Sequence, residues 1–172
     1  MKKILLVSIL FLVTACSSLD KSVKNKSSKV YTTQISNSVS ITFDSEGNFN
    51  ELIATASAPF PVDIPLAQNS AIIIATILAR KNISEFLNTE IVSDSFVERI
   101  SETLDATNNY EKKDTNKTAN KLKENISSKS RSILKGTYVK DTAVIGNRVI
   151  VTVVSTKQVT NKIKEIKDAI SL

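Results

Sequence analysis

Alternating apolar and polar positions mark the start of the organised chain. Val39, Ile41 and Phe43 alternate with Ser40 and Thr42, the period of a half-buried strand. Asp44-Ser45-Glu46-Gly47-Asn48 is a turn cluster, and a second strand from Phe49 to about Ala58 makes the pair a hairpin. Pro59, Pro61 and Pro65 then bracket Phe60, Val62 and Ile64. Proline has no amide hydrogen to donate, so this stretch predicts an extended connector, and Pro65 suits the first turn of a helix. From about Leu66 to Asn88 the apolar spacing changes to three and four residues. Ala67, Ala71, Ile74 and Leu78 share a face, extended by Ala75, Ala79, Ile83 and Phe86, while Arg80, Lys81 and Glu85 mark the solvent side. The run from Ala71 to Ala79 is apolar nearly all round, which predicts heavy burial. Its small alanines would let a sheet or a second helix approach closely.

Glu90 to Ile100 carries Ile91, Val92, Phe96, Val97 and Ile100 between polar residues, and predicts a strand passing into a helix. Leu104 to Lys121 is the most polar stretch, either a mobile loop or a solvated helix edge. Lys121 to Leu134 predicts a helix through Leu122, Ile126, Ile133 and Leu134, with Gly136 as its C-cap residue. Two strands follow, Thr137 to Ile145 and Arg148 to Thr156, joined by the turn pair Gly146-Asn147. In the second, Val149, Val151 and Val153 oppose Ile150, Thr152 and Val154, so it is expected to be covered on both faces and to lie inside a sheet. An amphipathic helix with Val159, Ile163, Ile166 and Ile170 on one stripe closes the chain. These elements predict an α+β fold, a small antiparallel sheet packed against a long Ala/Ile-rich helix and a C-terminal amphipathic helix.

The first residues read differently. Met1 to Lys3 is a short basic region, and Ile4 to Ala15 is an apolar run broken only by Ser8 and Thr14. Twelve helical residues rise about 18 Å, short of the roughly 30 Å hydrocarbon core, so the run predicts a signal segment and not a span. Val13-Thr14-Ala15-Cys16 resembles the lipobox of bacterial lipoproteins. That resemblance implies cleavage before Cys16, the only cysteine, with diacylglycerol on its sulfur and a further acyl chain on its freed amine. Two or three acyl chains hold firmly where one is marginal. Asp directly after the cysteine retains such proteins in the inner membrane of well-studied Gram-negative bacteria; Ser17 and Ser18 stand here, so the outer membrane is expected. Residues 16–34, rich in Ser, Lys, Asn and Thr, are expected to be a tether, which leaves 1–15 as the removed signal peptide and 35–172 as a single domain.

Composition narrows the chemistry. The chain has no His and a single Cys, which removes imidazole bases and ligands, Cys/His nucleophile pairs and any disulfide within the chain. With six Phe, three Tyr and no Trp, the core must be built mostly from Ile, Val, Leu and Ala. Removing Lys2 and Lys3 with the signal segment lowers the net charge from +6 to +4. Lys21, Lys24, Lys26 and Lys29 crowd the stretch after Cys16, where they would either lie against anionic head groups or remain solvated. No basic helix with interleaved aromatics is present, so no nucleic-acid partner is expected. Glu98 with Glu102, and Asp94 between Ser93 and Ser95, are carboxylates at solvated positions. The oxygen-rich clusters Asp44/Glu46, Asp105/Asn108/Asn109 and Asp114/Asn116 lack the spacing of a known calcium loop. No catalytic residue, cofactor or metal is expected, so the chain reads as a non-enzyme; a Ser–Lys pair stays open because a spatial pairing is invisible in sequence.

One resemblance gathers these elements. The Ala-rich helix with Ala79-Arg80-Lys81-Asn82-Ile83, then Val92-Ser93-Asp94-Ser95-Phe96-Val97 as a strand, Leu134-Lys135-Gly136-Thr137-Tyr138-Val139, and the last strand Arg148 to Val154 follow one another in a familiar order. Over roughly Leu52 to Lys157 the chain resembles the LPP-twenty lipoprotein family, which includes FlgP-like flagellar outer-membrane lipoproteins. The family usually has a small residue such as Gly where Ser57 and Ala58 stand, and the polar stretch from Thr107 to Ala119 is longer here. The resemblance implies a dodecin-like α+β domain tethered in the outer membrane, forming homo-oligomers within a cell-envelope assembly, flagellar or other. The alternatives are a binding module for an apolar or peptide ligand and a surface antigen or adhesin.

Overall fold

The computed structural model describes residues 29–61, 64–107 and 112–170. The signal segment, Cys16 and most of the expected tether lie outside the described residues. A five-stranded antiparallel sheet has the order β1-β2-β3-β5-β4. Its strands are β1 (Val30–Gln34), β2 (Val39–Asp44), β3 (Phe49–Pro59), β4 (Tyr138–Ile145) and β5 (Arg148–Thr156). Four α-helices accompany it: α1 (Pro65–Glu85), α2 (Asp94–Thr107), α3 (Lys112–Lys135) and α4 (Lys157–Ile170). The fold is α+β, as the sequence predicts.

Alternation decides which side of the sheet is covered. Val39, Ile41, Phe43, Leu52, Ala54 and Ala58 are buried, as are Val149, Val151 and Val153. Their neighbours Ser40, Thr42, Ile53, Thr55, Ile150 and Thr152 are half-buried on the opposite face. One face therefore packs under helices and the other is open and rich in hydroxyls, the usual division of an antiparallel sheet. β5 does lie inside the sheet, between β3 and β4. Its helix side is buried throughout, while on the opposite face Val154 is buried and Ile150 and Thr152 are half-buried, so the expected cover on both faces is met only in part.

α1 runs over β3 and β5 and touches them through Ala71, Ala75, Ala79 and Ile83. Small residues on both sides, with Ala54 and Ala58 opposite, bring helix and sheet close together. An Ala75→Leu change forces extra methyl groups into this seam and is expected to cost about 1–3 kcal/mol, read as a lower urea midpoint. A midpoint equal to that of the parent protein would show that the seam has slack. Beyond Glu85 the backbone widens into a π-helical turn, Phe86–Glu90, and Phe86 packs against Phe96 of α2 with ring centroids 5.9 Å apart. α3 crosses the sheet at the β2–β3 turn and ends where β4 begins, and α4 packs chiefly on α3. Among the described residues no helix is long and apolar enough to cross a membrane.

Three expectations need correction, and one choice left open is decided. The strand within Glu90 to Ile100 is absent: Ile91 to Ser93 form a turn between helices, and Asp94 opens α2. Phe96, Ile100 and Leu104 recur every fourth residue and are all buried, which is the helical period, while Val92 is exposed. The polar stretch after Leu104 is helical from Lys112 onward, with Thr115 and Ala119 as its buried contacts. The expected tether ends at its own edge strand, because Val30–Gln34 pairs with β2 from Val30↔Asp44 to Gln34↔Ser40. Tyr31 anchors that strand by stacking on Phe43 at 5.6 Å between ring centroids. Lastly, the apolar run Ala71 to Ala79 is buried only along its alanines.

Candidate interaction surface

The polar residues singled out from sequence are taken first. Asp44 is spent on its own turn: Oδ1 accepts the backbone N–H groups of Glu46 (3.0 Å) and Asn48 (2.9 Å), and Oδ2 accepts the Asn48 amide at 2.9 Å. Asp94, Glu98, Glu102 and Asp105 recur at helical spacing along α2 and line an open groove against α3, opposite Asn116 and Asn120. All four carboxylates are exposed. The buried hydroxyl in that groove, Ser101, donates to Asn116 Oδ1 at 2.9 Å. Asn108 and Asn109 lie outside the described residues, and Asp114 is exposed on α3. Among the described residues no three acidic, Cys or His groups converge where they could hold a metal ion. The structure thus spreads Asp94, Glu98, Glu102 and Asp105 along one solvated face of α2.

A second groove lies at the β1–β2 turn, between Gln34, Ser36 and Asn37 on one side and Glu90, Ser93 and Ser95 on the other. Several of its polar groups bond within the protein. Arg99 donates to the Ile35 carbonyl, Ser93 donates to the Glu90 carbonyl at 2.6 Å, and the Ser93 and Ser95 hydroxyls lie 2.8 Å apart. These bonds order the β1–β2 turn against the start of α2.

The apolar surface is different. Opposite the alanine seam, α1 turns Leu66, Ile73 and Ile77 to solvent, 73%, 61% and 61% exposed, with Ile64, Ile74 and Leu78 beside them. Helical geometry requires this, because Ile73 and Ile77 lie about half a turn from Ala75. No described element packs on that side of α1. β4 is one of the two edge strands of the sheet, and Tyr138, Val139, Val144 and Ile145 along it are all exposed. Arg80 ties the two elements together by donating to the Thr137 carbonyl at 3.4 Å. Exposed apolar area of this extent beside an unpaired strand edge marks an interaction site or an aggregation hazard.

The apolar faces of the Ala71 to Phe86 helix and of Val159 to Ile170, with any sheet edge, are the surfaces that self-association would use. The structure uses the alanine side of α1 internally and leaves its isoleucine side bare. On α4, Val159 and Ile163 turn toward Gly136, while Ile166 and Ile170 are exposed near the end of the helix. The signal that could have separated the two sides of α1 is residue size: alanines every fourth residue mark the close contact, and the isoleucines between them mark what is left over. Cys16, the expected lipid attachment site, lies outside the described residues. No family model matches the chain, and no curated protein is significantly similar to it.

Proposed function

We propose that this chain is a lipid-anchored structural protein of a bacterial cell envelope, held in the outer membrane through Cys16 and assembling with copies of itself. The anchor rests on Val13-Thr14-Ala15-Cys16 after an apolar run too short to span. The assembly rests on one observation, the apolar surface left exposed on the outer face of α1 and on the edge strand β4. The likeness to LPP-twenty lipoproteins supports the same reading and suggests a flagellum-associated assembly. The alanine seam packs directly on the sheet and leaves no room for a ligand between helix and sheet, which weighs against a binding module.

Two measurements test this. Cys16→Ser is expected to move the chain from the membrane pellet to the soluble fraction, with loss of the acyl mass; a variant that still pellets and carries lipid sinks the anchor. Native mass and electron microscopy of the extracted, lipidated protein are expected to show defined oligomers. A monomer at every concentration removes the structural role.

A further inference from the structure

We propose that the exposed side of α3, with α4 packed on it, is a docking face for anionic phospholipid head groups. The proposal rests on the lipid anchor proposed above and adds to it how the anchored domain lies.

Charge is divided along the chain. Residues 29–107 hold four Lys and Arg against ten Asp and Glu. α3 and α4 reverse the balance, with twelve Lys and Arg against four Asp and Glu. On α3 the helical period sorts these charges. Thr115, Ala119, Leu122, Ile126 and Ile133 are buried on one side. Lys117, Lys121, Arg131 and Lys135 fall on the opposite side and are all exposed. Glu124 is the only acid between Lys117 and Lys135. Asn116 and Asn120, which face the carboxylate row of α2, each precede one of these lysines by one residue. The acidic and basic rows therefore stand about 100° apart around α3. α4 packs on α3 and adds exposed Lys162 and Lys164. Its apolar stripe continues past the contact with Gly136 to Ile166 and Ile170, 59% and 79% exposed. A helix with basic residues and an open apolar stripe suits the boundary between head groups and acyl chains.

The point where the chain enters the domain favours a membrane as the occupant. The Lys29 carbonyl accepts the Ser45 N–H at 3.0 Å, and its Nζ donates to the Thr107 carbonyl at 3.1 Å. Ser45 belongs to the β2–β3 turn, and Gly47 of that turn lies against Thr118 and Leu122 of α3. The chain coming from Cys16 thus arrives beside the basic row. Residues 17–28 reach at most about 40 Å, which keeps α3 near the lipid that holds Cys16. Lys and Arg are attracted to an anionic surface within a screening length of about 10 Å. The isoleucine face of α1 brings no comparable charge, because Arg80 turns to the Thr137 carbonyl and Lys81 pairs with Glu85 at 3.3 Å.

A fluorophore on Ser128→Cys tests the docking in the full-length, lipidated protein reconstituted into vesicles with nitroxide-bearing head groups. Ser128 is exposed on α3 between the two pairs of cations. Its quenching is expected to be roughly threefold greater in phosphatidylcholine mixed with phosphatidylglycerol than in phosphatidylcholine alone. The difference should vanish at about 1 M NaCl, where the screening length falls to about 3 Å. Asn147, in the β4–β5 turn, lies at the other end of β3 from the β2–β3 turn, and a label on Asn147→Cys is expected to be quenched equally little in both vesicles. The parent chain, holding Cys16 alone, controls for label at that position. Lys117→Glu with Lys121→Glu is expected to return the signal at 128 to the phosphatidylcholine level with an unchanged melting curve. Protein that floats with both vesicles but shows no difference at 128, or keeps it after the charge reversal, overturns the docking face and leaves the anchor standing. Flotation with the anionic vesicles only, reversed by salt, overturns the anchor and leaves the docking face. Flotation with neither overturns both.

Discussion

Gly47→Ala is expected to destabilise the domain by about 3 kcal/mol, and Gly146→Ala by only about 1 kcal/mol. Both glycines have left-handed backbones, with φ of 74° and 58°. An L side chain pays about 1–2 kcal/mol for that conformation anywhere. The difference lies in what a Cβ would meet. At Gly47 it would stand 2.6 Å from the Thr118 carbonyl oxygen and 3.3 Å from the Leu122 amide nitrogen, both backbone atoms of α3. Those atoms are fixed by the helix, which Asn125 also ties to the turn by donating to the Gly47 carbonyl at 3.2 Å. Relief requires α3 to move off the turn, adding about 1–3 kcal/mol of overpacking. At Gly146 nothing lies within 4 Å of the added atom, so only the backbone strain remains. Denaturant midpoints of the two variants at unchanged m-value check the pair. Equal losses would mean that α3 does not seat on the β2–β3 turn as described.

Replacing Ile73 and Ile77 together by Lys is expected to weaken self-association a hundredfold or more and to leave stability within about 0.5 kcal/mol. Each isoleucine is 61% exposed in the single chain, so the folded monomer loses little by the change. Burial of such a side chain against a partner is worth about 1.5–3 kcal/mol. A two-fold interface removes the contact twice and brings like charges together. Sedimentation of the extracted variant at a series of concentrations reports the association, and its melting curve reports the fold. Unchanged oligomers would place the assembly surface elsewhere, and a large drop in stability would mean these side chains are covered within the chain.

The elements that the sequence announces clearly are those with strong local rules. Period-two alternation and a Gly-containing turn located β2, β3, β4 and β5 to within a residue or two, because a hairpin brings its own partner. The long run of three- and four-residue spacing located α1. Other elements depend on distant residues. β1 looks like tether in sequence, since Val30 to Gln34 sits among Ser, Lys and Asn, and it becomes a strand by adding to the edge of β2 and stacking Tyr31 on Phe43. α2 is preceded by Ile91-Val92, which resembles a strand locally. The burial of Phe96, Ile100 and Leu104 against their neighbours selects the helix.

The same division applies to the candidate site. The apolar run before Cys16 and the absence of His are sequence facts, and they frame the anchor and the excluded chemistry. Hydrophobic pattern determined that α1 forms, that it is apolar, and that two hairpins make a sheet, because these follow from spacing along one chain. Only the tertiary structure decided which side of α1 is buried and which strand is left at the edge. Both are set by how a helix can approach a sheet: the alanines allow closest contact with β3 and β5, so they turn inward. The bulkier isoleucines are thereby turned outward, and the edge position of β4 follows from the pairing of β5 with β3 rather than from anything in β4 itself.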